Sequence, residues 1–140
     1  MPETKPELTF AELKLGRRFR PLPFAITPEL VARYLAVVGD HHPLYQQPAG
    51  QAIAPPGLAA VYARLSYLQD HTMPSGGVLA QQEFENQGLA KVGDVLEVQA
   101  SVFEHYVDDR GHLRVSFLIQ ARNQADQPVC RVRLFAIWPK

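Results

Sequence analysis

The stretch PPGLAAVYARLSYLQ, residues 55–69, decides the fold of this chain. Two prolines and a glycine open it, and its large apolar residues then recur at the spacing of an α-helix. These residues are Leu58, Val61, Tyr62, Leu65 and Leu68. Arg64 is the only charged residue before Asp70. A helix this apolar, predicted over 57–69, is expected to be wrapped by other structure.

Four long strands are predicted after this helix. The first runs from Val78 to Asn86, and Gly93-Asp94 marks the turn before the second. In the second strand apolar and polar residues alternate until Phe103, where the broken order predicts a bulge. A turn at 108–111 separates the second strand from the third, and a turn at 123–128 separates the third from the fourth. Apolar residues also alternate in the third and fourth strands. This pattern predicts an antiparallel meander.

The segment before the apolar helix contains a strand and a second helix. Residues 17–26 read as an irregular strand, and its two prolines predict an edge or bulged position. Thr27-Pro28-Glu29 is a strong helix start, and Gly39 is the predicted C-cap. The predicted buried stripe of this helix consists of Leu30, Val31, Tyr34, Leu35 and Val38.

These elements predict one α+β domain over residues 1–140, since the chain shows no repeat and no linker. A single amphipathic sheet must cover its apolar face, and the helix at 57–69 is the internal candidate. An antiparallel sheet wrapped around one central helix is the hotdog fold. We therefore predict this fold.

Composition bears on partners and compartment. The 14 basic and 14 acidic side chains cancel, so charge gives no reason to expect nucleic acid or an anionic membrane as a partner. Arg17, Arg18 and Arg20 form the nearest thing to a basic patch, and a solvated strand face is the favoured interpretation. The single cysteine, Cys130, is expected in the core. Without a signal-like N-terminus or a long apolar run, we expect a cytoplasmic protein.

The run GDHHPLY, residues 39–45, carries most of the proton-transfer chemistry of the chain. Pro43 pushes His42 out of the α region, so the run should form a constrained turn that displays its polar side chains. Asp40 stands just beyond a helix C-terminus. Its alternative role is that of a turn residue that hydrogen-bonds to nearby backbone. The remaining histidines, His71, His105 and His112, lack metal-ligand spacing and are expected to be solvated.

The order of elements, with GDHHPLY after the first helix and PPGL opening the second, resembles the MaoC-like (R)-specific enoyl-CoA hydratases. The signature of that family reads Gly-Asp-x-Asn-Pro-(aliphatic)-His. Gly39, Asp40, Pro43 and Leu44 match it, whereas His42 occupies the Asn position and Tyr45 the catalytic His position. The resemblance covers about residues 17–138, nearly the whole chain.

The resemblance implies reversible hydration of a trans-2-enoyl thioester on CoA or a carrier protein, a lyase activity of fatty acid metabolism without metal or cofactor. Asp40, Tyr45 and His42 would be its catalytic residues. The backbone N–H of Gly57, with Pro56 and Leu58 beside it, would bind the thioester carbonyl, because a helix N-terminus favours developing negative charge. A second interpretation of Gly57 is a helix-start glycine where neighbouring chain segments crowd.

Tyr45 leaves the activity open, because a phenol titrates near pH 10 and is a poor base at neutrality. Either His42 acts as the base, or Asp40 alone moves protons while Tyr45 positions the substrate. The second hypothesis is a non-catalytic, acyl-thioester-binding subunit of a heteromeric dehydratase. A hotdog thioesterase is the third, and the lack of a carboxylate between Gly57 and Gln69 counts against it. Open sheet edges predict a homodimer, or a hetero-oligomer with another hotdog chain.

Overall fold

The computed structural model describes residues 4–48 and 52–140. Residues 1–3 of the N-terminus and 49–51 of the predicted 46–56 loop lie outside this range. The described chain forms a five-stranded antiparallel sheet of order β1-β3-β4-β5-β2, with two α-helices. The strands are β1 (Leu22–Ala25), β2 (Val78–Asn86), β3 (Val95–Val107), β4 (Leu113–Arg122) and β5 (Pro128–Trp138). The predicted hotdog class is confirmed.

Helix α1 spans Pro28–Val38 and has the predicted ends. The Thr27 side chain accepts a hydrogen bond from the Leu30 N–H at 3.1 Å. Gly39 closes the helix in the left-handed region at φ 72°, where a residue without a Cβ is unstrained. The predicted stripe is only partly buried, because Val38 is 51% exposed at the end of the helix. The last turn of α1 therefore leaves the core.

Helix α2 spans Leu58–Ser66 and lies on the concave face of the sheet. It is shorter than predicted, and the structure around it covers one side only. Leu58, Tyr62 and Ala63 are buried against the sheet, whereas Val61 and Leu65 are exposed. The sheet therefore covers one side of the helix, as predicted, and the side with Val61 and Leu65 is exposed in the single chain.

The three central strands hold the core. Alternate residues of β3, β4 and β5 point at α2, and the predicted bulge of β3 appears as a register shift between Val102 and Glu104. Phe117 of β4 stacks on Tyr67 with ring centroids 4.4 Å apart. Cys130 is buried, as predicted. Burying these apolar residues supplies the main favourable term for folding.

The N-terminal segment is tied to the far end of the sheet. The Thr9–Glu12 capping box forms, and the short 3₁₀ helix Phe10–Glu12 follows it. The Nε1–H of Trp138 donates to the Leu8 carbonyl at 2.8 Å. His105 is packed rather than merely solvated, since its ring stacks on Phe10 at 4.0 Å and its Nε2 lies 2.9 Å from the Phe10 carbonyl oxygen.

The two edges of the sheet differ. The predicted strand at 17–26 shortens to β1, with one separate bridge from Arg18 to Ser101, because prolines 21 and 23 cannot donate to the ladder. At the other edge β2 has its predicted bounds and pairs only with β5 among the described strands. No helix in the described part of the chain is long and apolar enough to cross a membrane.

Candidate functional site

The start of α2 offers a backbone donor. The Leu58 N–H bonds to the Pro55 carbonyl at 3.0 Å, and the Ala59 N–H bonds to the Pro56 carbonyl at 3.1 Å. The Gly57 N–H makes no backbone hydrogen bond to any residue that the structure describes. Since the N-terminus of a helix carries partial positive charge, this amide can hold an oxygen that gains negative charge.

Gly57 is also a point of close approach. A Cβ built on it would lie 1.9 Å from Tyr34 Oη and 3.1 Å from Tyr34 Cζ, so no larger residue fits unless the Tyr34 ring moves. The crowding interpretation of Gly57 is therefore supported, and it is compatible with a free N–H on the same residue. Helical spacing predicts Tyr34 in the buried stripe of α1, and nothing in the sequence signals its contact with Gly57.

An apolar cavity of about 230 Å³ opens beside the same turn. Pro56 and Leu58, two of the predicted binding residues, line it. Its polar side chains are those of Tyr62, Asn86 and Cys130, at the side where α2 faces the sheet. Burial raises the pKa of the Tyr62 hydroxyl and of the Cys130 thiol, so both stay neutral at ordinary pH. The lining is therefore uncharged.

The rest of the lining comes from five separate parts of the chain. It consists of Ile26, Ala54, Pro55, Ala59, Gly88, Leu89, Ala90, Leu96 and Val129. A hydrogen bond from the Ala54 N–H to the Ala90 carbonyl, at 2.8 Å, joins two of these segments. An uncharged cavity of this kind suits a hydrocarbon chain, because it replaces water around apolar groups with apolar contacts.

The turn at 39–45 is built by its own side chains. Asp40 Oδ1 accepts a hydrogen bond from the His42 N–H at 3.0 Å, and His42 Nδ1 accepts one from the Leu44 N–H at 3.1 Å. His42 is extended, with ψ 135°, as the proline after it requires. Because the Nδ1 lone pair is used, neutral His42 carries its proton on Nε2. In this geometry His42 can donate a hydrogen bond from Nε2.

The predicted acid–base residues are brought together at this turn, but they do not line the cavity beside α2. Asp40, His41 and His42 are exposed, and none of them lines a cavity found in the described ranges. Tyr45 is half-buried and lines a separate cavity of about 150 Å³ against α1. The rings of His42 and Tyr45 lie 5.6 Å apart. The roles of Asp40, His42 and Tyr45 in catalysis stay predictions.

One hydrogen bond links the turn to the segment that leads into α2. The Ile53 N–H donates to the Leu44 carbonyl at 3.1 Å. Together with the contact between Tyr34 and Gly57, this bond holds the C-terminal half of α1 beside the start of α2. The turn and the cavity are therefore neighbouring parts of one surface.

Other charged groups are engaged elsewhere. Arg20 forms a two-bond ion pair with Asp70, at 2.9 and 3.0 Å, and Arg17 lies over the Phe19 ring. Within residues 4–48 and 52–140, no cluster of His, Cys, Asp and Glu side chains has the arrangement of a metal site. The expectation that no metal or cofactor takes part stays a prediction.

Comparison with known proteins gives a family and a fold. The family model described as "FAS1-like, dehydratase domain region" matches residues 14–132. No curated protein sequence matches the chain significantly.

Several solved structures are similar in fold. The R-hydratase PhaJ1 from Pseudomonas aeruginosa superposes with a TM-score of 0.77 at 22% identity, covering 96% of this chain and 87% of its own. A monoamine oxidase regulatory protein from Archaeoglobus gives a TM-score of 0.79 at 17% identity, with 98% and 97% covered. The HadBC 3R-hydroxyacyl-ACP dehydratase complex from Mycobacterium tuberculosis gives 0.69 at 18% identity, with 88% and 96% covered.

Proposed function

This chain belongs to the family of FAS1-like dehydratase domain regions, as a MaoC-like hotdog protein, and from that membership we propose that it hydrates and dehydrates acyl thioesters. The substrate would be a trans-2-enoyl thioester of CoA or of a carrier protein. The observation that carries the proposal is the uncharged cavity that opens beside the Gly57 N–H, which has no backbone partner among the described residues, next to the turn that holds Asp40. An acyl chain would enter the cavity while its thioester oxygen meets the amide.

The proposed reaction uses one carboxylate as the base. Asp40 takes a proton from a water molecule while the water oxygen forms a bond to C3 of the substrate. The electron pair of the C2=C3 bond moves onto the thioester oxygen, where the Gly57 N–H stabilises it. The protonated Asp40 then gives this proton to C2, the thioester carbonyl forms again, and the carboxylate is regenerated. Asp40 Oδ2 is the oxygen for this task, because Oδ1 already serves the turn.

The size of the cavity favours a short acyl chain. Its volume of about 230 Å³ is below the roughly 300–1,000 Å³ that encloses a drug-sized ligand. A chain of a few carbons would fit, and the rest of the thioester would lie outside. We therefore take crotonyl-CoA as the first substrate to test.

A non-catalytic binding subunit is the second candidate, because two observations favour it. Tyr45 stands where the family signature has its histidine, and Asp40 is exposed and serves as a turn residue. Such a subunit would keep the cavity and bind the acyl thioester while another hotdog chain supplies the acid–base pair. A thioesterase is disfavoured, because the nine residues of α2 contain no carboxylate.

Loss of the enoyl absorbance of crotonyl-CoA, measured with purified protein, separates these candidates. A hydratase removes the absorbance and forms 3-hydroxybutyryl-CoA without release of thiol. A binding subunit leaves the absorbance unchanged yet binds crotonyl-CoA in calorimetry. Thiol release with the same substrate would contradict both candidates and support a thioesterase.

We also propose that β2 is the edge through which the chain pairs with a second copy. Its outer side carries no neighbouring strand among the described residues, and Val78, Leu79 and Phe84 are exposed on it. An exposed apolar edge strand is a site for strand pairing. The exposed Val61 and Leu65 of α2 lie on the apolar surface that a second copy could also cover.

Light scattering tests this pairing with a matched pair of variants. Leu79→Lys places a charge on the β2 edge and should give a monomer. Val107→Lys changes a residue of equal exposure, 57% against 56% for Leu79, at the end of β3 and should leave the dimer intact. A parent chain that is monomeric alone but pairs with another hotdog chain would support the hetero-oligomer instead.

A further inference from the structure

The Tyr34 hydroxyl of α1 lies against Gly57 at the start of α2. The proposed function uses the N–H of the same glycine. Tyr34 projects from α1 so that its Oη is the nearest atom to the open side of Gly57. A phenylalanine would fill the same stripe on α1 with equal apolar surface. The hydroxyl therefore needs an explanation beyond packing.

Neither donor at this contact is used within the described part of the chain. The Gly57 N–H has no backbone partner there, and the Tyr34 hydroxyl takes part in no hydrogen bond. Gly57 is exposed and Tyr34 is half-buried, so both donors are accessible to a bound acceptor. Two unused donors thus stand side by side at the N-terminal end of α2.

Their spacing suits a single shared acceptor. The Cβ position of Gly57 is 1.9 Å from Tyr34 Oη. Covalent geometry then keeps the Gly57 nitrogen within about 4.5 Å of that oxygen. Two donors at this separation can both reach one oxygen atom at about 2.9 Å, the usual length of such bonds.

The acceptor that fits is the oxygen of a thioester. Pro56 and Leu58, the residues on either side of Gly57, line the apolar cavity, whereas Gly57 and Tyr34 stand just outside its lining. An acyl chain in the cavity would therefore leave its carbonyl at this turn. We propose that Tyr34 is a catalytic residue that donates a second hydrogen bond, beside the Gly57 N–H, to the thioester oxygen of the substrate. This inference rests on the proposed function and adds a residue to its site.

The role needs no proton transfer by Tyr34. When water adds to C3, the electron pair of the C2=C3 bond shifts to the C1–C2 position and the carbonyl pair moves onto the thioester oxygen, which carries more negative charge in the transition state and the enolate than in the substrate. A donor held in place strengthens its bond at that moment, while Tyr34 keeps its proton throughout. Tyr45 occupies the position of the family's catalytic histidine, so the rate contribution of that histidine is missing. A second hydrogen-bond donor to the thioester oxygen would offset part of this loss.

Tyr34→Phe tests the inference, with Tyr106→Phe as the matched control. Tyr106 is exposed near the end of β3, away from the cavity. Two properties are measured for each variant: kcat and KM for crotonyl-CoA, and the absorption shift of bound 2,4-hexadienoyl-CoA. The shift reports how strongly hydrogen bonds polarise the thioester carbonyl, and it needs binding but no turnover.

We expect Tyr34→Phe to lower kcat by about 10²–10³-fold, as the loss of one oxyanion donor does elsewhere, with KM changed far less. The red shift of the bound dienoyl thioester should shrink, and Tyr106→Phe should match the parent in both measurements. Melting temperatures and circular dichroism identify any loss of folding. Should the phenylalanine variant not fold, Tyr34→Leu and Tyr34→Met are measured in the same way.

The outcomes separate the inference from the proposed function. A folded Tyr34→Phe variant with the parent's red shift overturns the role of Tyr34 and leaves the proposed function standing. A parent that binds and shifts the probe but does not hydrate crotonyl-CoA overturns the hydratase and keeps the hydrogen bond. A parent that does not bind the probe overturns both.

Discussion

The start of α2 and the turn after α1 are adjacent parts of the candidate site, yet they are built in different ways. The start of α2 borders a cavity lined mostly by apolar residues from five parts of the chain, and Leu58 and Ala59 are part of the core. The turn is exposed, and Asp40 and His42 hold it through bonds to N–H groups two residues on. Core packing therefore determines the shape of the site at the start of α2, whereas local hydrogen bonds determine the shape of the turn after α1.

This difference predicts which measured properties should change when residues of each part are substituted. Substitutions around the cavity should alter stability and acyl-chain selectivity together, because the same side chains pack in the core and would contact the acyl chain. Changes at the turn should alter turnover alone, because exposed residues contribute little to stability. Substitutions at the start of α2 and at the turn therefore test whether the two parts differ in their effects on stability and turnover.

The largest effect is expected at Asp40. Asp40→Asn keeps an oxygen for the His42 N–H but removes the base, so hydration should fall by about 10²–10⁴-fold. The melting temperature should stay that of the parent. Asp109→Asn, at an exposed hairpin position, is the control and should leave both quantities unchanged. Unchanged hydration in Asp40→Asn would leave Asp40 as a turn residue only.

Tyr45→His should raise the hydration rate. An imidazole is a far better acid and base at neutral pH than a phenol, and such groups contribute about 10²-fold or more. The rate with crotonyl-CoA is compared with that of Tyr45→Phe, which removes the hydroxyl without adding a base. Equal rates in the two variants would mean that this position does not face the reacting atoms.

Gly57→Ala should lower the free energy of unfolding by about 1–3 kcal/mol, because the new methyl group overlaps Tyr34 Oη. In a Tyr34→Phe background the cost should be smaller, since Cζ at 3.1 Å is a milder contact. Urea titration of the four chains gives this coupling. Additive losses would contradict the close approach of α1 and α2.

Cavity size should set the preference for acyl length by about 10-fold. Ala90 and Leu89 both line the cavity. Ala90→Leu should disfavour longer enoyl thioesters, and Leu89→Ala should favour them. Ratios of kcat/KM for four- and eight-carbon substrates measure the change. Opposite results in the two variants would show that the acyl chain lies elsewhere.

The smallest effect is an acid sensitivity that belongs to neither part of the site. The Arg114 guanidinium, 2.8 Å from Asp108, together with N–H groups of the hairpin, holds the Asp108 pKa well below its ordinary value. A depressed pKa adds stability above the unfolded pKa of about 3.9 that is lost as the pH falls below it. Asp108→Asn should lower stability at pH 7 and flatten its decline below about pH 4, measured by thermal unfolding.

Local signals predicted much of this molecule because each depends on few residues. Thr27, Pro28 and Gly39 act within one helical turn of their own positions, so the bounds of α1 could be predicted. The bulge at Phe103 follows from alternation within one strand. The exposure of Val61 could not be predicted, because helical spacing shows which residues share a face but not whether another layer covers it.

By itself the sequence determined the elements, the hotdog class and the cluster of Asp40, His42 and Tyr45 on one turn. These depend on backbone preferences and on the period of apolar residues, which neighbouring positions encode. Only the tertiary structure decided that Tyr34 meets Gly57, that the cavity opens beside α2, and that Asp40 stands outside it. Those facts depend on where the Tyr34 side chain of α1 meets the start of α2, and side-chain packing between distant segments sets that arrangement.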